Sequence, residues 1–133
     1  MIVVDTNIIA TLLLPGPLTD LAKQAARRDQ WCAPLLWRSE LRNVLTSYVR
    51  HRGLPVAEAR NLMSAAEKLF WGREFTIHSA AVFDCVARSR RSAYDCEFVA
   101  LALNLGLTLV TTDEPIVQEF SGTARHLRDY VTA

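Results

Sequence analysis

The sequence predicts an α/β protein in which helices cover both faces of a central parallel sheet. Short apolar runs typical of buried strands, such as residues 2–4 and 107–111, alternate with longer segments of helical periodicity. This alternation favours a parallel sheet, because successive parallel strands must be joined by crossover connections. We therefore expect a three-layer α/β/α fold with right-handed connections.

Length and composition favour one folded domain. The chain has 133 residues, and half of them are hydrophobic, which is enough for a substantial core and argues against disorder. The formal net charge of +1 gives no overall signature of nucleic-acid binding. A polyanionic ligand would therefore have to be held by a local patch or by a metal ion.

The cysteines and the apolar stretches predict a cytoplasmic protein. The chain has three cysteines in apolar contexts and without zinc-site spacing, which favours buried free thiols in a reducing compartment. The N-terminus lacks the basic and hydrophobic regions of a signal peptide. The longest apolar stretch, residues 98–110, contains Asn104 and Gly106 and is too short to span a bilayer.

The expected elements follow one another without a linker or repeat. Pro15, Gly16 and Pro17 should stop a first short helix, and Ser92 followed by Asp95 fits a capping pattern at the start of a later one. Strands are predicted over residues 2–4, 31–33, 75–78, 107–111 and 124–127, and helices over residues 7–14, 18–29, 35–52, 55–71, 79–90 and 92–104, with a short one from 114.

Four acidic residues occupy positions where α/β proteins commonly bind ligands. Asp5 and Asp113 follow two predicted strands, and ligands of open parallel sheets bind outside the carboxyl ends of the strands. Glu40 and Asp95 lie on otherwise apolar faces of two predicted helices. Carboxylates in such places are costly unless a positive group meets them, and a divalent metal ion is the simplest such group.

Each acidic residue alone also has an ordinary structural interpretation. Asp5 and Asp113 are suitable helix caps, and Asp95 is a suitable acid for the first turn of a helix. Glu40 would be satisfied by a buried ion pair with an arginine. The coincidence of all four positions favours a metal site, and a carboxylate set without histidine or cysteine favours Mg²⁺ or Mn²⁺ over Zn²⁺.

A site of this kind is suited to phosphodiester hydrolysis. One metal ion would lower the pKa of a bound water, and a second would stabilise the departing oxygen. Hydroxyl groups of Thr6, Thr111 and Thr112 could hydrogen-bond the ligating carboxylates. Threonine is also common in strands and turns, so these residues alone do not identify a site.

With these residues in view, the chain resembles PIN-domain ribonucleases, and most closely the VapC-type toxins of toxin–antitoxin pairs. The resemblance covers nearly the whole chain and rests on residues 3–7, Glu40, residues 94–102 and residues 109–113. It implies that residues 1–133 form a single PIN-like nuclease domain. It also implies Mg²⁺- or Mn²⁺-dependent RNA cleavage that leaves a 5′-phosphate and a 3′-hydroxyl, a homodimer, and a cognate antitoxin that inserts a peptide near the site.

The resemblance carries over to individual positions. Asp5, Glu40, Asp95 and Asp113 match the acidic quartet of the family, with Asp5 and Asp95 as the firmest metal ligands. Thr6 and Thr112 match its supporting hydroxyls.

Two features depart from the family pattern. Glu97 occupies a position that is often apolar or small, and on an ideal helix it points away from Asp95. A structural role is therefore expected, with Arg88, Arg90 and Arg91 as candidate partners. The loop before Asp95 is unusually basic. Its Arg90 and Arg91 are candidates for contacts with RNA phosphates, and a solvated loop is equally compatible with them.

The predicted function is therefore that of a metal-dependent endoribonuclease, the toxin of a toxin–antitoxin pair. The alternative is a catalytically weak PIN-like protein that acts mainly by binding RNA or an antitoxin. A phosphoacceptor domain is disfavoured because neither Lys23 nor Lys68 follows a strand, and a dehalogenase-like phosphatase would need an aspartate in place of Asn7.

Overall fold

A five-stranded parallel sheet forms the centre of the protein. The computed structural model describes residues 1–132, so Ala133, the last residue of the predicted domain, lies outside the described residues. The strands are β1 (Ile2–Val4), β2 (Trp31–Pro34), β3 (Glu74–Phe75), β4 (Leu109–Thr111) and β5 (Ala124–His126). Their spatial order is β3-β2-β1-β4-β5, and every neighbouring pair is parallel.

Helices connect these strands and complete the three-layer α/β/α fold that the sequence predicts. They are α1 (Thr6–Leu13), α2 (Thr19–Arg28), α3 (Leu36–His51), α4 (Val56–Leu69), α5 (Ser79–Ala87), α6 (Ala93–Leu105), α7 (Glu114–Glu119) and α8 (Leu127–Thr132). Within residues 1–132, none of them combines the length and apolar character that spanning a bilayer requires.

The strand order reverses next to β1. From β1 the chain proceeds through β2 and β3 towards one edge, and it then returns to add β4 and β5 on the other side of β1. Val3 is in register with Cys32 of β2 and with Leu109 of β4. Such a reversal opens a crevice at the carboxyl ends of the strands, because the flanking connections turn away from each other there.

Helix α6 is the central helix of the core. It contacts β1, β2 and β4, and five consecutive residues from Phe98 to Ala102 are buried. Apolar side chains surround this helix, as expected for a helix that is covered by the sheet on one side and by α5 on the other. Ser92 caps its first turn by accepting a hydrogen bond from the backbone N–H of Asp95 at 3.0 Å, which confirms the predicted cap.

The differences from the sequence prediction concern the ends of elements. Strand β4 begins at Leu109 instead of residue 107, because the N–H of Leu107 donates to the carbonyl of Ala102 and thereby closes α6. Strand β3 is shorter than predicted and begins one residue earlier. Helix α8 was not predicted, since it follows β5 directly and no turn residue marks its start.

Gly106 provides a test of how α6 ends. It has a left-handed conformation with φ of 65°, and a Cβ atom built there would meet no heavy atom within 4 Å. We expect Gly106→Ala to lower the free energy of unfolding by about 1 kcal/mol, purely through backbone conformation. Urea titration would measure the change. The matched control is Gly122→Ala, where there is equal space and no positive φ, and an equal loss in both variants would contradict this account.

Candidate active site

Asp5 has two structural roles at the carboxyl end of β1. One carboxylate oxygen accepts a hydrogen bond from the N–H of Ile8 at 3.2 Å, so Asp5 caps α1. The other oxygen accepts a hydrogen bond from the hydroxyl of Thr111 at the end of β4. The interpretation of Asp5 as a helix cap is thus correct. Asp5 is also buried, at the crevice between β1 and β4.

Asp113 is positioned in the same way beyond the end of β4. Its Oδ1 accepts a hydrogen bond from the N–H of Ile116 at 3.2 Å and so caps α7. Its own N–H donates to the hydroxyl oxygen of Thr111 at 3.0 Å. Thr111 therefore joins Asp5 and Asp113 through one fully buried hydroxyl group.

Helices α3 and α6 supply the other two carboxylates. Glu40, in the first half of α3, accepts a hydrogen bond of 2.6 Å from the hydroxyl of Thr6 at the start of α1. Asp95 lies in the first turn of α6, and both carboxylates are half-buried. Thr6 thus orients one carboxylate of the site as Thr111 orients another.

Thr112 differs from the other two threonines. Within the described part of the chain, its hydroxyl makes no hydrogen bond to any of the four carboxylates. Its side chain instead lines a neighbouring cavity together with Asn7.

Burial and mutual repulsion make the carboxylates reluctant to ionise. Burial raises the pKa of Asp5 to about 7, and the charges of Asp113 and Asp95 add to the effect. The hydrogen bonds from Thr111 and Ile8 oppose this shift.

The carboxylates on the two helices show the same behaviour. Burial raises the pKa of Glu40, and the charge of Asp95 raises it further, against the hydrogen bond from Thr6. Burial and the charge of Asp113 raise the pKa of Asp95. Repulsion by neighbouring carboxylates thus adds to the effect of burial on the pKa values of Asp5, Glu40 and Asp95.

Within residues 1–132, no cationic side chain is paired with this cluster, although the charge of Arg91 partly offsets the rise in the pKa of Asp95. Among residues 1–132, none of the four carboxylates forms a salt bridge. Arg38, on the same helix as Glu40, instead binds Glu67 and Glu74. The buried ion pair considered for Glu40 is therefore absent from the part of the chain that the structure describes.

A small cavity lies between the carboxylates. Its volume is about 60 Å³, and it is lined by Asp5, Thr6, Asn7, Glu40, Asp95 and Phe98. Asp113 stands outside this lining, although its charge acts on Asp5 and Asp95. The space is sufficient for an ion with a few water molecules.

The carboxylates do not form a closed cage. Among residues 1–132, no three acidic, histidine or cysteine side chains converge closely enough to form a complete set of metal ligands. An oxygen-only donor set of this open kind fits Mg²⁺ or Mn²⁺, because Mg²⁺ usually retains several waters and binds one or two carboxylates. It does not fit a structural Zn²⁺ site, which is closed by four protein ligands.

The basic loop before α6 is only partly available to a ligand. Arg91 donates to Glu119 at 2.6 Å through its guanidinium group, and the backbone N–H of Arg90 donates to the same carboxylate at 3.1 Å. The side chain of Arg90 is exposed. Of the two arginines suggested for RNA contacts, Arg90 is thus the more accessible.

Glu97 has different surroundings from those expected. Within residues 1–132 it forms no salt bridge with an arginine, and burial together with the charge of Glu40 raises its pKa. The charge of Glu40 on α3 therefore acts on Glu97, an interaction between distant segments that helical periodicity alone does not reveal. Sequence reasoning also missed Asn7, which lines both the carboxylate cavity and the larger cavity next to it.

The raised pKa of Asp5 predicts a pH-dependent stability effect. The ordinary pKa of 3.8 rises to about 7 in the fold, so ionisation of Asp5 destabilises the metal-free protein progressively between these two pH values. We expect Asp5→Asn to raise the free energy of unfolding at pH 8 by roughly 2 kcal/mol in the presence of a chelator. The gain should disappear near pH 4.

Urea titrations of both proteins at the two pH values would measure this difference. Asp84→Asn, at an exposed position on α5, is the control and should change little at either pH. If Asp5→Asn were equally destabilised at pH 4 and pH 8, the result would show that Asp5 acts only as a helix cap.

Comparison with known proteins places the chain in a family. The family model described as PIN domain matches residues 2–118. The chain is also similar to Ribonuclease VapC3 of Pyrobaculum aerophilum, with 29% identity over 125 residues, which are 90% of this chain and 94% of that protein.

Solved structures share the fold. FitAcB from Neisseria gonorrhoeae superposes with a TM-score of 0.76 at 19% identity, over 96% of this chain and 99% of that one. FitAB bound to an IR36 DNA fragment gives a TM-score of 0.73 at 16% identity, over 96% and 95% of the two chains. The match over most of the sequence, together with the parallel sheet and its acidic crevice, shows that this chain belongs to the PIN domain family.

Proposed function

We propose that this protein is a metal-dependent endoribonuclease and the toxin of a toxin–antitoxin pair. The observation that supports the proposal most strongly is the convergence of Asp5, Glu40, Asp95 and Asp113 from separate segments, with no salt bridge to any of them within residues 1–132. Negative charges gathered in this way are stabilised by a divalent cation. The similarity to a VapC ribonuclease supports the same activity.

Asp5 and Asp95 would be the principal ligands of Mg²⁺ or Mn²⁺ in this proposal. Glu40 lines the same cavity, and Asp113 lies at its margin, so they would hold the ion directly or through water. When bound, the ion supplies Lewis acidity and lowers the pKa of a coordinated water.

The residues of the chain itself would orient and shield the site. Hydrogen bonds from Thr111 and Thr6 fix one oxygen each of Asp5 and Glu40, which limits the directions in which the carboxylates can point. Phe98 closes one side of the cavity and is 2% exposed. This apolar wall lowers the local polarity and strengthens the attraction between carboxylates and a cation.

The proposed partners are RNA, an antitoxin protein and a second copy of the chain. Large aromatic side chains on the outer surface of the α5–α6 pair support a homodimer, because Phe83 is 65% exposed and Tyr94 is 62% exposed. Cys32, Cys85 and Cys96 are free and buried, which supports a cytoplasmic location.

A cleavage assay tests the proposed activity directly. Purified protein should cleave single-stranded RNA with Mn²⁺ or Mg²⁺ and leave 5′-phosphate ends. Asp5→Asn and Asp95→Asn should each lower the rate of cleavage by more than about a hundredfold. Replacing a residue that only hydrogen-bonds to a metal ligand already lowers metal affinity or activity by about 10- to 100-fold, and these two residues are the proposed ligands themselves.

Asp84→Asn is the matched control in this assay, since it removes the same charge from an exposed position. Its rate should equal that of the unaltered protein. Cleavage that persists in purified Asp5→Asn and Asp95→Asn, or that is indifferent to chelation of the metal, would refute the proposed function.

A further inference from the structure

We propose that a second cavity, next to the carboxylates, binds an unstacked nucleobase of the RNA substrate. This base pocket lies between α1, the turn at residues 14–19 and α3. The inference rests on the proposed ribonuclease function and deepens it. In this proposal the protein contacts a base of the RNA as well as its phosphate.

The size and the floor of the pocket suit a flat aromatic ligand. Its volume is about 510 Å³, within the range of pockets that hold small organic molecules. Ala10, Leu14, Leu18 and Val44 supply apolar lining. A base that leaves the stacked helix loses aromatic contacts, and a surface of this kind replaces them.

The pocket is continuous with the acidic site. Asn7 lines the base pocket as well as the carboxylate cavity. Thr112, which also lines the base pocket, directly precedes Asp113. A nucleotide whose phosphate lies at the carboxylates therefore has the base pocket as its nearest large cavity.

Tyr48 and Arg52 form a stacking platform in the wall of the pocket. Both side chains line it, and the guanidinium carbon of Arg52 lies 5.2 Å from the centroid of the Tyr48 ring. Arg52 is exposed, and it forms no ion pair within residues 1–132. Aromatic rings and arginine planes are the surfaces on which proteins stack single-stranded bases.

Two polar side chains in the lining are free to recognise the edge of a base. Among the described residues, neither the amide of Asn7 nor the hydroxyl of Thr112 hydrogen-bonds to another group of the protein. An amide offers both donors and an acceptor, which match the mixed pattern of a base edge. The lining contains no carboxylate, and Arg52 is its charged residue, which suits an anionic polymer.

Hydrogen bonds within the turn hold the pocket open. The hydroxyl of Thr19 accepts from the N–H of Gly16 at 3.0 Å and lies 2.9 Å and 3.1 Å from the carbonyl oxygens of Thr11 and Leu14. The hydroxyl of Thr11 in turn donates to the carbonyl of Asn7 at 2.7 Å. The turn is thereby fixed to α1, so little ordering is required when a ligand binds.

Binding of RNA with and without bases tests the proposal. The protein tested is the full chain with Asp95→Asn, a substitution that prevents cleavage. Two fluorescent probes are compared: 12-nucleotide RNAs of randomised sequence, and an abasic ribose-phosphate chain of equal length. We expect the abasic chain to bind at least about tenfold more weakly, since stacking of one base is worth 1–3 kcal/mol. Tyr48→Leu should weaken binding of the base-containing RNA by a similar factor and leave binding of the abasic chain nearly unchanged. Arg52→Ala should also weaken binding of the base-containing RNA by a similar factor, and it should weaken binding of the abasic chain only as much as the loss of any exposed arginine does.

Arg50→Ala is the matched control, because Arg50 is also an exposed arginine near the end of α3 but lines a different groove. This substitution should weaken binding of both RNAs alike, by less than about twofold. Equal affinity for the two probes, equal loss in Arg50→Ala and Arg52→Ala, or no binding of the base-containing RNA would overturn the proposal. Equal affinity for the two probes would indicate that the cavity binds a different ligand, such as a side chain of a partner peptide.

This experiment separates the base pocket from the nuclease activity. Base-dependent binding without metal-dependent cleavage by the unaltered chain would refute the proposed enzyme and retain the pocket. Cleavage that is unaltered in Arg52→Ala and Tyr48→Leu, with equal binding of both probes, would refute the pocket alone. Thermal unfolding of each variant establishes that Tyr48→Leu has kept the fold.

Discussion

The hydrogen bond from Thr111 to Asp5 joins the two strands on which the site is built. Asp5 directly follows β1 and caps α1, and the same Thr111 hydroxyl accepts a hydrogen bond from the backbone N–H of Asp113. A buried carboxylate would ordinarily be avoided, because its ionised form loses the stabilisation of water. Here two hydrogen bonds, from the Thr111 hydroxyl and the Ile8 N–H, fix it at the point where the sheet reverses its strand order.

The rest of the site follows from what packs against that point. Helix α3 brings Glu40 to the first turn of α1 through the Thr6 hydroxyl, and α6 brings Asp95 over β1. The apolar packing of α6 in the core therefore determines where one of the carboxylates lies. Stability of the core and geometry of the site are coupled in this fold, since moving α6 would separate Asp95 from Asp113.

Features with a local physical cause could be predicted from the sequence. The strand character of residues 2–4 and the cap at Ser92 each depend on a few neighbouring residues, and the structure contains both. The positions of Asp5 and Asp113 at strand ends follow from the same local patterns. The parallel arrangement was predictable because strands and helices alternate along the chain.

Features that depend on contacts between distant segments could not be predicted from the sequence pattern. The charge of Glu40 on α3 raises the pKa of Glu97 on α6, which is an interaction between separate helices, whereas helical periodicity gives only the direction of Glu97 relative to Asp95. The same is true of Arg91, whose partner Glu119 lies on α7. Thr111, and not Thr112, hydrogen-bonds Asp5 because Thr111 is the last residue of β4, the neighbour of β1, and Thr112 lies beyond the strand.

Calorimetric titration with Mn²⁺ tests the central claim that these carboxylates form a cation site. Asp5 has its pKa raised to about 7, so metal binding near pH 6 must displace a proton from the cluster. The account predicts saturable binding whose heat depends on the ionisation enthalpy of the buffer, and it predicts that both features are lost in Asp95→Asn. The absence of Mn²⁺ binding by the unaltered protein, or binding that is unchanged in Asp95→Asn, would contradict it.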